Sequence, residues 1–304
     1  MLKFQIVIFL AALLFLTGCA DNPSAGITSS THAAETVVPE LQATTATLIP
    51  STAAAPVQQT PIVIAQPTAP IPTGLAEDFN DQKFPASQII IYIPGPNSRV
   101  SSPLVVSAYA VPGDQGKITL QLWGEDGRLI IDQLTKLKPT TGWVAFASKF
   151  PFEINSGGES TELTLTSFDS DGRRVAIIGV PLILMQVGDS ETEPSGFAKQ
   201  PFVISNPPAN MPVKGGILHL QGYAHPASSA PLVVELIKAN GGIVASKQVT
   251  LKAAASEEGY VAFSTDLAYT VEKETPVRLS IRQMNDKTPL VDVALSSQLN
   301  TLLP

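Results

Sequence analysis

Four stretches of this chain recur in the same order at a nearly constant offset, and that repeat limits the fold more than any other feature. LVVSAYAVP at 104–112 returns as LHLQGYAHP at 218–226, and ITLQLWGEDGRLI at 118–130 returns as LVVELIKANGGIV at 232–244. GWVAFASKFPF at 142–152 meets GYVAFSTDLAY at 259–269, and LTLTSFDSDGR at 163–173 meets LSIRQMNDKTP at 279–289. The offset is 114 residues for the first two pairs, 117 for the third and 116 for the fourth. Self-similarity at a fixed period marks a duplicated structural unit, here of about 95–100 residues.

Each copy is patterned as strands. Ile118, Leu120 and Leu122 alternate with Thr119 and Gln121, and Leu163 and Leu165 with Thr164 and Thr166. A period of two belongs to a half-buried β-strand. Asp126-Gly127 and Asn240-Gly241 fall at the same relative place between apolar segments, and Asp171-Gly172 is a further such pair. These pairs suit tight hairpin turns, because Asn, Asp and Gly tolerate positive φ. Neither copy holds a long helical stripe. Seven or so short strands per copy predict a two-layer sandwich.

The first copy carries the entry PGPNSRVSSPLVVSAYA, the hairpin LWGEDGRLI, then GWVAFASKFPF, and LTLTSFDSDGR before a last strand near VPLILMQ. Together these resemble the immunoglobulin-like module called Gmad2, found in bacterial surface and spore-germination-associated proteins. Residues 89–187 carry all of these features. Residues 202–301 carry fewer, with Gly222 where the first copy has Ala108 and MNDKTP in place of the Asp-Gly turn. The resemblance implies an all-β chain with two tandem immunoglobulin-like β-sandwiches, at 88–187 and 202–304, and no catalytic residues to carry over. The linker between them, 188–201, reads as a hinge or a packed joint.

Ahead of the repeat stands an apolar leader. After Lys3, residues 4–18 (FQIVIFLAALLFLTG) have only Gln5 and Thr17 as clearly polar members. Fifteen helical residues reach about 22 Å, short of the roughly 30 Å hydrocarbon core. A polar DNPSAG follows with no Lys/Arg flank, so residues 1–18 read as an export signal rather than a permanent membrane span. The chain's single cysteine, Cys19, comes next. On its own it could be a core residue, a nucleophile, a metal ligand or an attachment point. Leu16-Thr17-Gly18-Cys19 resembles the bacterial lipoprotein box. That resemblance implies diacylglycerol on the Cys19 sulfur, cleavage before Cys19 and an acylated new N-terminus, with palmitate-type chains. Two or three acyl chains suffice for stable anchoring. The expected location is the extracytoplasmic face of a bacterial cell membrane, and the N-terminal lipid is the expected membrane contact.

Residues 19–87 are expected to form a lipid-anchored flexible stalk. The segment is rich in Thr, Ala and Pro and nearly free of Lys and Arg. It cannot bury enough apolar surface to offset the entropy of ordering it, and its prolines favour extended conformations.

The composition removes several function classes. A net charge of -7 with no basic block offers no footprint for nucleic acid. One cysteine allows neither an intrachain disulfide nor a CxxC metal site. Of the three histidines, His32 lies in the stalk. His219 and His225 lie six residues apart in and just after one strand, hence about 20 Å apart, too far to share a zinc. No G-x-S-x-G elbow is present. A secreted hydrolase would need clustered His, Asp or Glu across the sandwich, and no cofactor is expected. Asp169 and Asp171 in FDSDG could hold calcium weakly through oxygen ligands, although the run is too short for an EF-hand loop. The competing reading is a β-turn in which Asp caps the backbone and Gly172 takes positive φ. Of the two tryptophans, Trp143 aligns with Tyr260 and reads as packing. Trp123 alternates with Leu122 and is the binding candidate. The expected function is non-enzymatic: presentation of the two domains to cell-wall polysaccharide or an envelope protein. The alternative is a solute- or carbohydrate-recognition component of an envelope complex. An exposed aromatic groove at Trp123 would favour carbohydrate, and a flat apolar patch would favour protein.

Overall fold

Strands form in two runs of eight in the computed structural model, which describes residues 83–252, 259–288 and 290–304. The apolar leader, Cys19 and residues 20–82 lie outside the described residues. The first run is β1 (Ile89–Ile93), β2 (Arg99–Ser101), β3 (Leu104–Ala110), β4 (Lys117–Gly124), β5 (Leu129–Lys136), β6 (Val144–Phe150), β7 (Gly158–Phe168) and β8 (Arg174–Met185). The second is β9 (Phe202–Asn206), β10 (Pro212–Val213), β11 (Ile217–Ala224), β12 (Leu232–Lys238), β13 (Ile243–Val249), β14 (Val261–Ala268), β15 (Thr275–Met284) and β16 (Asp292–Leu302). Element for element, the second run repeats the first.

Alternation places the core. In β4, Ile118, Leu120 and Leu122 are buried while Thr119, Gln121 and Trp123 are half-buried on the opposite face. Three hairpins share one turn. Gly124, Asp169 and Lys238 each donate a backbone N–H to the carbonyl four residues on, at 2.9 Å in all three. Gly127, Gly172 and Gly241 have φ of 81°, 78° and 81°. Each ladder shifts register beside its turn. This is the three-residue hairpin loop, a type I turn closed by a left-handed glycine. Only the glycine needs positive φ. Asp126 and Asn240 act through their side chains, each Oδ1 accepting the N–H two residues on at 3.0 Å.

In the first half, sheet β1-β3-β6 faces β5-β4-β7-β8, and short β2 adds parallel to β8. In the second, β9-β11-β14 faces β13-β12-β15-β16, and β10 adds parallel to β16. Between the facing sheets lie two separate apolar cores, one built on residues such as Leu120, Leu165 and Phe150, the other on Leu236, Leu279 and Phe202. Three strands against four, with an entry strand that crosses to the second sheet, is a sandwich of immunoglobulin-like topology.

The repeat alone did not reveal that β8 and β16 pair antiparallel, Ala176 with Ser296, Ile177 with Leu295 and Ile178 with Ala294. The two larger sheets thereby join into one of ten strands. All described residues fall within one compact unit.

Residues 188–201 form a packed joint. Arg99 and Glu191 exchange backbone bonds of 2.9 and 2.8 Å, and Ser195 N–H reaches Tyr92 O at 2.8 Å. Residues 83–87, assigned above to the stalk, also pack. Ser87 N–H donates to Ala198 O and Gln200 N–H to Pro85 O, both at 2.8 Å. Phe84 is buried and stacks on Tyr260, with centroids 3.9 Å apart and planes at 8°.

Candidate binding face

The outer face of the joined sheet carries the candidate site. On it Thr119 pairs with Thr166, Gln121 with Thr164 and Trp123 with Glu162. The polar residues lie here because their apolar neighbours in sequence point into the core. Beside them β5 sets Asp132 opposite Gln121 and Leu134 opposite Thr119, and Gln121 Nε2 donates to Asp132 Oδ1 at 3.2 Å. On the far side stands the connection between β15 and β16, which brings Leu290, Val291 and Asp292 from the second half. Between the Trp123 hairpin and this connection opens a depression of about 680 Å³, with Phe168, Arg174 and Ile177 along its length.

Ion pairs hold the second-half wall. Asp292 receives Arg174 Nη1 at 2.6 Å and Arg282 Nη1 at 2.9 Å, and Arg282 Nε continues to Glu235 at 3.2 Å. At the rim Leu290 is 91% exposed with φ 67°, a left-handed conformation that branched apolar residues rarely adopt. Trp123 stands outside the three apolar clusters, whereas Trp143 packs against the one formed by Ile90, Tyr109 and Ala198. The groove therefore offers one indole face, apolar rim groups and a row of hydroxyl, amide and charged side chains. Such a surface can stack on a ring and hydrogen-bond its substituents.

The other sequence candidates fall elsewhere. Asp169 and Asp171, the calcium candidates, face guanidinium groups. Asp169 Oδ2 meets Arg173 Nε and Arg278 Nη2, each at 2.8 Å, and Asp171 meets Arg173 Nη2 at 2.8 Å. Asp169 Oδ1 caps its own turn, accepting the N–H groups of Asp171 at 3.0 Å and Arg173 at 2.9 Å. Burial works to raise the Asp169 pKa, but the Arg173 N–H and the Arg278 guanidinium outweigh it and hold the carboxyl below its usual range. Among the described residues no group of three or more His, Cys, Asp or Glu could hold a metal. His219 is exposed and bonds Asp266 at 2.8 Å. His225 packs on Phe197, centroids 4.3 Å apart, and burial lowers its pKa.

Sequence reasoning missed Glu162. It shares the alternation of Thr164 and Thr166, which places it on the groove face, and like them it is buried, at 5% exposed against 2% and 6%. Asn285 Nδ2 donates to its Oε2 at 3.0 Å. Burial pushes its pKa up to about 8, against the opposing influence of Asn285 and Lys287.

No family model matches the chain, and no curated protein matches it. Solved structures match loosely. Titin domains Z1Z2 in complex with telethonin are 13% identical over 72% of this chain and 96% of theirs, with a TM-score of 0.21. CBD12 from CALX1.2 is 9% identical over 71% of this chain and all of its own, 100%, at 0.20. Red sea bream transglutaminase is 11% identical over 73% of this chain at 0.25, the match spanning 32% of the enzyme. At such scores these likenesses carry no weight for function, and the fold assignment rests on the strand pairing itself. Among the described residues no helix is long and apolar enough to cross a membrane.

Proposed function

We propose that this chain is a bacterial surface lipoprotein, anchored through Cys19, whose stalk presents two tandem immunoglobulin-like domains akin to Gmad2 modules. Its role is binding rather than catalysis, and the ligand is a cell-wall polysaccharide seated in the Trp123 groove. The observation that carries this reading is the groove itself: a half-buried indole at one end of a Thr/Gln/Asp row, with half-buried Thr119 and Gln121 beside the buried Thr164 and Thr166, along a depression of about 680 Å³. A protein partner would be better served by a flat apolar patch, whereas here polar groups alternate with single apolar ones. The resemblance of Leu16-Thr17-Gly18-Cys19 to the lipoprotein box supports the anchor and the location.

The test is direct binding of the full chain to a glycan array and to envelope polysaccharide, compared with Trp123→Ala. Loss of a central indole anchor is expected to weaken binding by about tenfold or more. Specific capture of an envelope protein, with no glycan bound and no effect of Trp123→Ala, would overturn the polysaccharide assignment.

A further inference from the structure

The seam between the halves follows a local twofold, and one contact departs from the chemistry of its mate. The ladders fix which residues correspond. Glu162 pairs with Pro181 and Thr164 with Gly179 across β7 and β8, just as Arg278 pairs with Leu299 and Ser280 with Ser297 across β15 and β16. The two halves cross at the equivalent residues Ile177 and Leu295. An isologous interface uses each contact twice. Accordingly Arg278 Nε reaches Asp169 Oδ2 at 2.9 Å, and its counterpart Glu162 receives Asn285, the counterpart of Asp169, at 3.0 Å.

The mates differ in charge. Arg278 with Asp169 joins a buried cation to an anion, at 7% and 12% side-chain exposure. Glu162 with Asn285 joins a buried carboxyl to an uncharged amide, so an ionised Glu162 would be a buried charge with no ion-pair partner in contact. Trp123 on β4, Gly179 and Pro181 on β8 and Val293 on β16 bring no charge to it. Lys287, on the connection that holds Asn285, is the cation that acts on it. Arg174, Arg282 and Asp292 are engaged with one another.

A second departure concerns hydrogen bonding. Val175 and Val293 are the extra residues at the register shifts of their ladders, which leaves their carbonyls to find partners outside the regular pairing. The Ser297 hydroxyl donates to Val175 O at 2.7 Å and accepts from Arg278 Nη1 at 3.0 Å. In the mate position Gly179 replaces Ser297 and has no hydroxyl to give. A Cβ placed on Gly179 would lie 2.8 Å from Val293 O and 2.5 Å from Glu162 Oε1. Glu162 Oε1 thus fills the space that the serine hydroxyl fills in the other copy. Only a protonated carboxyl can do that hydroxyl's work of donating to a carbonyl.

We propose that Glu162 is held as a neutral carboxylic acid, Oε1–H donating to Val293 O while Oε2 accepts from Asn285, and that it thereby clasps the β15–β16 connection onto the first half. Glu162 is a positioning residue for the groove wall formed by Leu290, Val291 and Asp292. The wall's relation to a ligand rests on the binding role proposed above; the protonation state does not. The burial-driven rise in its pKa to about 8 agrees with the geometry. An unfolded glutamate titrates near 4.5. Between these values the folded protein keeps a proton that the unfolded chain has released. The clasp's contribution is therefore complete below the unfolded pKa, falls as pH rises, and is gone above the folded one. Across that window the unfolding constant should rise tenfold per pH unit, over about 8 − 4.5 = 3.5 units in all.

The test uses the full chain carrying Trp143→Phe, so that Trp123 is the sole indole, with carbon-13 label at glutamate Cδ. The signal absent from Glu162→Gln identifies Glu162. Its midpoint is expected near 8, and Trp123 emission, across the ladder from Glu162, should follow the same midpoint. Glu162→Gln supplies both a donor and an acceptor. It should match the parent's stability near pH 5, lose most of the parent's downward slope toward pH 8 and abolish the emission change. A Cδ midpoint below about 6, or a Glu162→Gln variant that keeps the parental slope, overturns the proposal. These readouts are taken without ligand, so their failure is distinct from a failure of the groove to bind glycan.

Discussion

Asp169→Ala should be among the most damaging single substitutions at the seam, and its cost can be worked from its contacts. One carboxylate oxygen holds Arg173 and Arg278, each at 2.8 Å, and the other caps two backbone N–H groups of the turn. Arg278 has 7% side-chain exposure, so truncating Asp169 leaves a guanidinium that is nearly dry and without its carboxylate. Breaking a buried pair from one side costs about 3–5 kcal/mol. Asp171 is the control. It is 39% exposed with a single contact to Arg173, and Asp171→Ala should cost about 0–1 kcal/mol. Asp169→Asn retains an oxygen for the turn but lacks the charge, and should fall between them. Urea unfolding at neutral pH measures all three, and a double-mutant cycle with Arg278→Met isolates the coupling. The pH dependence has a definite sign. Because the Asp169 pKa is lowered in the fold from 3.8, its contribution is present above that value and lost as pH falls through the folded one. Asp169→Asn should therefore flatten the acid limb of the parent's stability profile. An Asp169→Ala cost within about 1 kcal/mol of the parent, or equal to that of Asp171→Ala, would refute the buried pair. Calcium that raised the parent's midpoint but not that of Asp169→Ala would show these oxygens serving an ion instead.

Phe84→Ala should destabilise by about 3–5 kcal/mol in the same assay, because a buried ring is lost from its stack on Tyr260; a cost below about 1 kcal/mol would place Phe84 outside the fold. Cys19→Ala should shift the protein out of the membrane fraction or leave it as a longer, unprocessed chain. If parent and variant stayed equally membrane-held and neither showed an unprocessed form, the anchor would fail.

Much of the fold was legible because it is local or repeated. Period-two alternation in Ile118–Leu122 and Leu163–Thr166 marked the strands and their inner face, and the same alternation pointed Trp123 outward. The Asp-Gly and Asn-Gly pairs marked hairpins, although the positive φ belongs to glycine alone. What escaped notice was long-range and specific to single side chains. The pairing of β8 with β16 spans only three residue pairs within otherwise ordinary strands, and edge pairing leaves no periodic trace. Phe84 sits in a segment whose composition resembles a tether, so only its ring and the receiving Tyr260 surface decide its burial. Glu162 was hidden for a related reason. Its alternation places it on a face that would be solvated in an isolated half, and the second half covers it.

The twofold sets two equivalent depressions and explains why they are unequal, about 680 Å³ beside Trp123 and about 370 Å³ beside Ile237. Ile237 stands where Trp123 does, Arg278 where Glu162 does and Glu235 where Gln121 does, so the second half lacks the indole and fills its outer face with ion pairs. The connections differ too. From Phe168 to Arg174 the first half turns through a tight hairpin, while the equivalent span, Met284 to Asp292, is two residues longer, since 8 − 6 = 2. Those residues carry Leu290 and Val291 over the first half's sheet, whereas the shorter Asp169–Arg173 turn lies over the second half's sheet, where Arg173 Nη1 donates to Ile237 O at 3.3 Å and the turn borders the smaller depression. Duplication supplied two equal faces. The longer connection and the exchange of an Arg–Asp pair for Glu162 with Asn285 made one of them the larger, indole-bearing groove, so groove shape and seam integrity depend on the same few residues.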